Sequence, residues 1–293
     1  MVKNAPAKIS IRFFNNKEVR AAWDDAENCW LFSIVDIVAV LTDSKNPRNY
    51  WKVLKHRLSK AGDELVTNCN QLKLAASDGK HYLTDCLSQN DIIHLIKIIP
   101  SKRAITFLEW FITGEDSIDN KSRDKAYQLW DSTLLQNIEI GTTRGLQQIH
   151  AFLFGGLYEF AGHIRQKNIS KGGFQFAVAK FLGPSLEQIE GMPQNTYDEI
   201  IDKYVEMNIA HPFMEGNGRS TRIWLDLILK KSLKKCVDWS RIDKSAYMEA
   251  MRLSPVNATK LKRLLLGALT ENINDREMFM KGIDYSYYYE QDD

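Results

Sequence analysis

Apolar residues along the chain follow two rhythms. In roughly the first 110 positions they alternate or form short blocks between turn-forming residues. From about position 126 onward they recur three and four apart, the period of a helix with one buried face. The first region therefore reads as mixed. "ISIRFF", "NN" and "KEVRAAW" form a hairpin pattern, and "LKLAAS" and "KHYLTD" form another around Asp78-Gly79, the dipeptide a type I′ turn favours. Residues 33–42 read as a short helix capped by Ser33, and 46–60 as a helix with Pro47 in its first turn. Two further helices are expected around 88–98 and 101–112. In the second region "TTRGLQQIHAFLFGGLYEF", "TYDEIIDKYVEMNIAH" and "STRIWLDLILKKSL" all carry the helical period. "ISKGGFQFAV" (169–178) breaks it, and its glycines and aromatics suggest a small hairpin or flap. Between the regions, Gly114 to Lys125 is polar and charged, the mark of a boundary or a connecting helix. The expected class is mainly α, with an α+β domain over 1–113, a connecting segment over 114–130 and a helical domain with a β-hairpin flap over 131–293.

Composition narrows the function classes modestly. The chain has 293 residues and a net charge of +2, too small to argue by itself for nucleic acid or membrane. Four scattered cysteines, Cys29, Cys69, Cys86 and Cys236, lack the spacing of a zinc or disulfide framework and read as free thiols in a reducing compartment. The opening "MVKNAPAKIS" has no leader-like apolar core, and no apolar run is long enough for a bilayer. A cytoplasmic protein without membrane contact is the expectation.

Chemistry concentrates in "HPFMEGNGRSTR", His211 to Arg222, a loop that opens a helix. Gly216 and Gly218 permit a turn whose free N–H groups face one way, an anion site suited to phosphate. Arg219 and Arg222 lie three apart on the following helix, where they oppose the helix dipole unless an anion sits between them. Glu215 would be repelled by phosphate unless a hard cation such as Mg²⁺ joins them. His211 has the chemistry of a general base near neutral pH. His211 and Glu215 also have the spacing of a zinc pair. Pro212 and the glycines spoil the helix such a pair needs, and no third ligand is in view. The residues point to a nucleotide site with a base beside it.

Those twelve residues resemble the complete motif of the Fic family, HxFx[DE]GNGRxxR, and "IHAFLFGGLYEFAGHIRQKNISKGGFQFA" resembles the helix, GxxR step and flap that precede it. The resemblance covers about 130–290 and implies a helical core that transfers AMP from ATP to a protein hydroxyl. It assigns His211 as the base toward a target Tyr, Ser or Thr, and Phe213 as the loop's anchor. Glu215 would hold Mg²⁺. Gly216, Asn217, Gly218, Arg219 and Arg222 would bind the ATP phosphates. Glycine at 218 leaves room for the β-phosphate, which favours AMP transfer over phosphorylation. The flap residues Lys171, Gly172, Gly173 and Phe174 would dock the target strand; without the motif they read as an ordinary hairpin.

Both ends of the chain add expectations. The tyrosine run in "GIDYSYYYEQDD" fits neither a helix face nor a strand face, and composition alone allows a solvated tail. Ser286 to Glu290 nonetheless resembles the inhibitory [ST]xxxE[GN] motif of C-terminally self-inhibited Fic proteins, with Gln291 departing from it. That resemblance implies that Ser286 and Glu290 form an inhibitory segment, that Glu290 pairs with Arg222, and that Tyr287 is a site of self-modification. At the other end, "FNNKEVRAAW", "CWLFSIVDIVAVL" and "NPRNYWKVLKHRL" resemble the Bro-N domain, which implies DNA binding. Ser44 to Gly62 holds no acidic residue, and Arg48, Lys52 and Lys55 could line one helix face beside Tyr50 or Trp51. A solvated face explains the same charges. The leading expectation is a self-inhibited protein adenylyltransferase that can form a homo-oligomer. The other is a DNA-binding regulator whose Fic half senses nucleotide or acts as a toxin-like module.

Overall fold

A computed structural model describes residues 8–42, 44–76, 80–171 and 173–291; of 114–116 it describes the backbone. Two compact units meet in the sequence at Ser117–Ile118.

The first unit contains β1 (Ile9–Phe14), β2 (Lys17–Asp24), β3 (Cys29–Ser33), α1 (Ile34–Thr42), α2 (Pro47–Ala61), α3 (Glu64–Thr67), β4 (Asn70–Ala75), β5 (His81–Ser88), α4 (Gln89–Ile98) and α5 (Ala104–Asp116). Asn15 and Asn16 both take positive φ, 47° and 60°, as a tight two-residue hairpin turn requires. The expected Asp78-Gly79 turn lies outside the described residues, although β4 and β5 pair from Asn70↔Cys86 to Ala75↔His81. The two expected hairpins belong to one sheet, ordered β1-β2-β3-β5-β4. Strand β3, "CWLFS", joins them. Four of its five residues are buried, so it lacks the alternation by which a half-exposed strand is recognised. Val19, Phe32, Ile37, Leu87, Ile92, Leu95 and Phe107 are buried. A two-pronged Arg20–Asp36 pair, each bond 2.7 Å, ties β2 to α1. Asn46 caps α2 by accepting from the Asn49 N–H, and left-handed Gly62 ends it.

The second unit is a helical bundle: α6 (Ile118–Asp131), α7 (Leu134–Asn137), α8 (Thr143–Phe154), β6 (Ser170–Lys171), β7 (Phe174–Gln175), α9 (Leu182–Glu190), α10 (Tyr197–Ala210), α11 (Asn217–Leu233), β8 (Cys236–Val237), α12 (Lys244–Leu253), α13 (Thr259–Gly267), β9 (Leu269–Thr270) and α14 (Arg276–Glu290). Strands β6 and β7 form the expected flap, and β8 pairs with β9 in a second short ribbon. Helix α11 packs on α8, α10 and α14, and its Trp224, Leu225, Ile228 and Leu229 are fully buried.

Two stretches differ from their polar appearance. Most of the expected connecting segment is α6, which packs on α8 and α14 and buries Ser122, Arg123, Ala126, Tyr127 and Leu129. Two of its buried polar residues are partners of the C-terminal helix: Tyr127 donates to Asp284, and Ser122 accepts from Tyr287. The tyrosine run is helical too. Helix α14 touches α6, α11 and α12, so successive tyrosines find neighbours on different sides. The Tyr289 hydroxyl lies within hydrogen-bond distance of the carbonyls of Trp239 and Ile242.

Candidate active site

The loop between α10 and α11 is built by local conflicts in the sequence. Helix α10 starts at a capping box, Thr196 with Glu199, and ends at His211, which takes left-handed φ 49°, ψ 64°. Pro212 then lacks the N–H a helix would need. Past it, Asn217 bonds back to Phe213 twice: Oδ1 accepts from the Phe213 N–H and Nδ2 donates to the Phe213 carbonyl, both at 2.8 Å. The side chain of Asn217 thus staples the loop. What it can offer an anion is its backbone N–H, in the first turn of α11, where N–H groups have no acceptor within the helix. Phe213 is fully buried and stacks on His150 at 3.8 Å. At Gly216, φ is 77° and the Phe154 ring occupies the space a side chain would take.

His150 and Arg165 are two groups bonded to the loop that no reading of the motif itself reveals. Gly162 donates its N–H to His150 Nδ1 at 2.8 Å, so Nε2 carries the proton and donates to the Glu215 carbonyl at 2.9 Å. Burial pulls this imidazole down to about 4, so it is neutral at physiological pH. Arg165 holds the other side of the loop through bonds to the carbonyls of Ala210, His211 and Ala177. The GxxR spacing was the available signal for Arg165, and a histidine within an apolar helical face was the signal for His150.

His211 lies in the floor of a cleft of about 740 Å³ that Lys171, Phe174, Phe176, Gly218, Arg222 and Glu290 also line. Its ring stacks on Phe176 at 3.7 Å, nearly parallel. Nδ1 is 3.2 Å from the Asn208 carbonyl, which can only accept, so Nδ1 carries the proton and Nε2 keeps its lone pair. Burial draws the His211 pKa down to about 4, against opposing pulls from the Asn208 carbonyl and Glu290. This is lower than the near-neutral range expected from its residue type. The imidazole is an unprotonated acceptor at physiological pH rather than a half-titrated one.

The two arginines are buried and matched by carboxylates. Arg219 is 4% exposed and bonds Asp119 through NH1 and Glu215 through NH2, the latter at 2.9 Å. Its guanidinium lies over the rings of Phe154 and Tyr287. Arg222 is 3% exposed. Its Nε donates to Ser286 Oγ at 2.7 Å, and its NH2 donates to the Ser286 carbonyl at 2.8 Å and to Glu290 Oε1 at 2.6 Å. A Cβ added to Gly218 would overlap that same Glu290 oxygen. A carboxylate of the chain therefore lies against the first turn of α11, where the motif was expected to receive phosphate. Burial alone would raise the Glu290 pKa; the charge and hydrogen bond of Arg222 outweigh it and hold the group at about 2. Lys171 of the flap approaches the other oxygen at 3.5 Å.

The remaining expected residues are distributed as follows. Ser286 is in contact with Arg222, as described. Tyr287 is 5% exposed and its hydroxyl donates to Ser122, so self-modification there requires α14 to leave its place. Lys171 and Gly173 are exposed, Phe174 is half-buried, and Gly172 lies outside the described residues. Glu215 is 54% exposed, and no cluster of three metal-ligating side chains occurs among the described residues. No helix among the described residues is long and apolar enough to cross a membrane.

Residues 141–229 match the Fic/DOC family. The chain is 30% identical over 154 residues to the protein adenylyltransferase VbhT of Bartonella schoenbuchensis, covering 47% of this chain and 32% of that one. It is 27% identical over 128 residues to the probable protein adenylyltransferase Fic of Escherichia coli, covering 39% and 64%. The matches thus span less than two thirds of either relative. The BepC protein of Bartonella tribocorum, crystallised with AMPPNP, is similar at 20% identity and a TM-score of 0.45, over 52% of this chain and 84% of that one. The stretch from residue 141 to 229, with the whole His211–Arg222 motif inside it, is a Fic domain.

Proposed function

We propose that this chain is a protein adenylyltransferase held inactive by its own C-terminal helix. One observation carries the reading. A neutral imidazole and an anion-receptive helix start share a cleft, and a carboxylate of the same chain already lies in the anion's position, bonded to Arg222 at 2.6 Å. The names of the curated relatives suggest the reaction, AMP transfer to protein.

In this reading ATP sets its phosphates against the N–H groups at Gly216–Gly218, with Arg219 and Arg222 on the outer oxygens. His211 Nε2 takes the proton of a target Tyr, Ser or Thr hydroxyl as that oxygen attacks the α-phosphorus. The bond from the α-phosphorus to the bridging oxygen breaks, and pyrophosphate leaves with its electron pair. Alignment and charge stabilisation supply most of the rate. Glu215 fits a Mg²⁺ ion held mainly by the nucleotide: it is a single exposed carboxylate, and the phosphates would complete the coordination. That ion would offset charge on the phosphates. Glu290 stands in for a phosphate oxygen at Arg222, so it and ATP compete. The flap offers two short antiparallel strands at the cleft's edge for an extended target segment.

The test is labelled ATP with lysate, read by mass spectrometry for AMP adducts, on parent and Glu290→Gly. Adducts that rise in the variant support the reading. No adduct from either protein would refute it.

A second reading concerns the first unit. Arg48, Lys52 and His56 form an exposed row on α2, with Arg57 and Lys60 also exposed, which suits weak, salt-sensitive contact with duplex DNA. Two of the residues expected there serve other purposes. Lys55 bonds Asp85 at 2.7 Å, and buried Trp51 donates to the same carboxylate.

A further inference from the structure

Arg165 is a buried cation that meets carbonyls instead of a carboxylate. Its side chain is 3% exposed. Nε donates to the His211 carbonyl at 2.7 Å and NH1 to the Lys167 carbonyl at 2.7 Å. NH2 donates to the carbonyls of Ala177 at 2.6 Å and Ala210 at 3.0 Å. Its backbone N–H donates to the Pro212 carbonyl at 2.9 Å. One residue therefore binds three consecutive carbonyls, 210 to 212, through the turn in which His211 takes its left-handed conformation. The same guanidinium holds the exit of the flap at Ala177, whose own N–H donates to the Ile209 carbonyl at 3.1 Å. Phe176, the neighbour of Ala177, forms the stacking face of the His211 ring.

Such placement exceeds what stability alone requires. A left-handed backbone at a residue that carries a Cβ is disfavoured and persists only where surrounding bonds impose it. A planar guanidinium presents five N–H donors in a rigid fork, whereas an ammonium has three on a rotatable centre. A buried cation near the ring also disfavours a second positive charge on it, in the direction of the lowered His211 pKa.

We propose that Arg165 is the positioning residue of the base. It locks the turn at His211 to the flap exit at Ala177, so that the imidazole and the ring it rests on move as one body and Nε2 stays aimed into the cleft. The assignment rests on the adenylyltransferase reading above.

The experiment works in the full chain with Glu290→Gly, which relieves the competing carboxylate. Arg165→Gln and Arg165→Lys are added to it. Three quantities are read: AMP transfer, ATP affinity by direct titration, and the His211 imidazole pKa by NMR. If Glu290→Gly alone transfers nothing, the adenylyltransferase reading fails before Arg165 is tested. Given transfer by Glu290→Gly, Arg165→Gln should lose about a hundredfold in kcat while ATP affinity stays within about twofold, because Arg165 lies outside the anion loop. Its His211 pKa should rise. Arg165→Lys keeps the charge but not the fork, so it should hold the pKa and still lose rate. Unchanged transfer in both variants would overturn the proposal. So would loss of ATP affinity in step with transfer, since that pattern marks general unfolding of the site.

Discussion

The start of α11 and the outward face of α2 carry similar charge and have opposite surroundings. On α11, Arg219 and Arg222 are 4% and 3% exposed, and each meets a carboxylate. On α2, Arg48, Lys52 and Arg57 face solvent, and the cation that does find a carboxylate, Lys55, points toward the sheet. An exposed charge costs little, so its presence says little about purpose. A buried one is strongly destabilising unless an opposite charge, or a full set of carbonyls such as Arg165 has, compensates it. The arginines of α11 therefore demand an anion, and Glu290 answers that demand for Arg222 within the chain. The basic residues of α2 make no such demand.

The largest expected effect breaks the site at its base. His211→Ala in the Glu290→Gly background should lower AMP transfer by ~10²–10⁴-fold, the usual scale of general-base loss, with ATP titration nearly unchanged. Near-parent transfer at neutral pH would assign the base to another group.

Next comes the anion itself. Glu290→Gly should raise transfer about ten- to a hundredfold, the equivalent of the roughly 1.5–3 kcal/mol of a charge-assisted hydrogen bond. Arg222→Ala should not reproduce this gain, because in the proposed reaction the same guanidinium also holds ATP; it should stay poorly active with or without Glu290. Equal activity of parent and Glu290→Gly would reduce the C-terminal helix to a packing element. Smaller still is the effect expected on α2. Lys52→Glu with Arg57→Glu should weaken low-salt duplex binding about tenfold, whereas Lys55→Gln should change it little because Asp85 already engages that ammonium. A gel shift insensitive to all three would place any DNA contact elsewhere.

How much of this was legible depended on where the information lay. The motif was readable because its chemistry is local: twelve consecutive residues build the turn, the staple and both arginines. The hairpin strands and α2 were readable because alternation, Asn-Asn and Asn-Pro act within a few residues. For α6 a connecting helix was readable but its packing was not, since its buried positions include Ser122 and Arg123, and polarity reads as solvent when the polar partner of Ser122 is 165 residues away in α14. Strand β3 was hidden by burial of nearly all its side chains. Asn217 was assigned to the right loop, but its side chain turned inward to hold Phe213, a choice only geometry reveals. For Tyr287 the motif gave a role, while packing gave the hydroxyl a buried partner.

The smallest effect tests burial without any assay of activity. His150 and His211 titrate near 4 in the folded chain, against about 6.5 when unfolded. Between those values the unfolded chain holds more protons, so stability must fall as pH drops from 6.5 toward 4. Glu290 acts in a lower window. Its folded value of about 2 lies below an unfolded value near 4.5, so its contribution is intact above 4.5 and lost as pH falls toward 2. Melting temperatures at pH 7, 5 and 3 should decline across both windows. His150→Gln should flatten the upper decline, and Glu290→Gln should flatten the lower one. Charge reversal at Lys52 and Arg57 should leave both declines as they are, because neither exposed cation touches these groups. A parent protein whose melting temperature is level from pH 6.5 to 4 would mean that the two imidazoles are not buried neutral, and the base would then have to be sought among half-protonated groups.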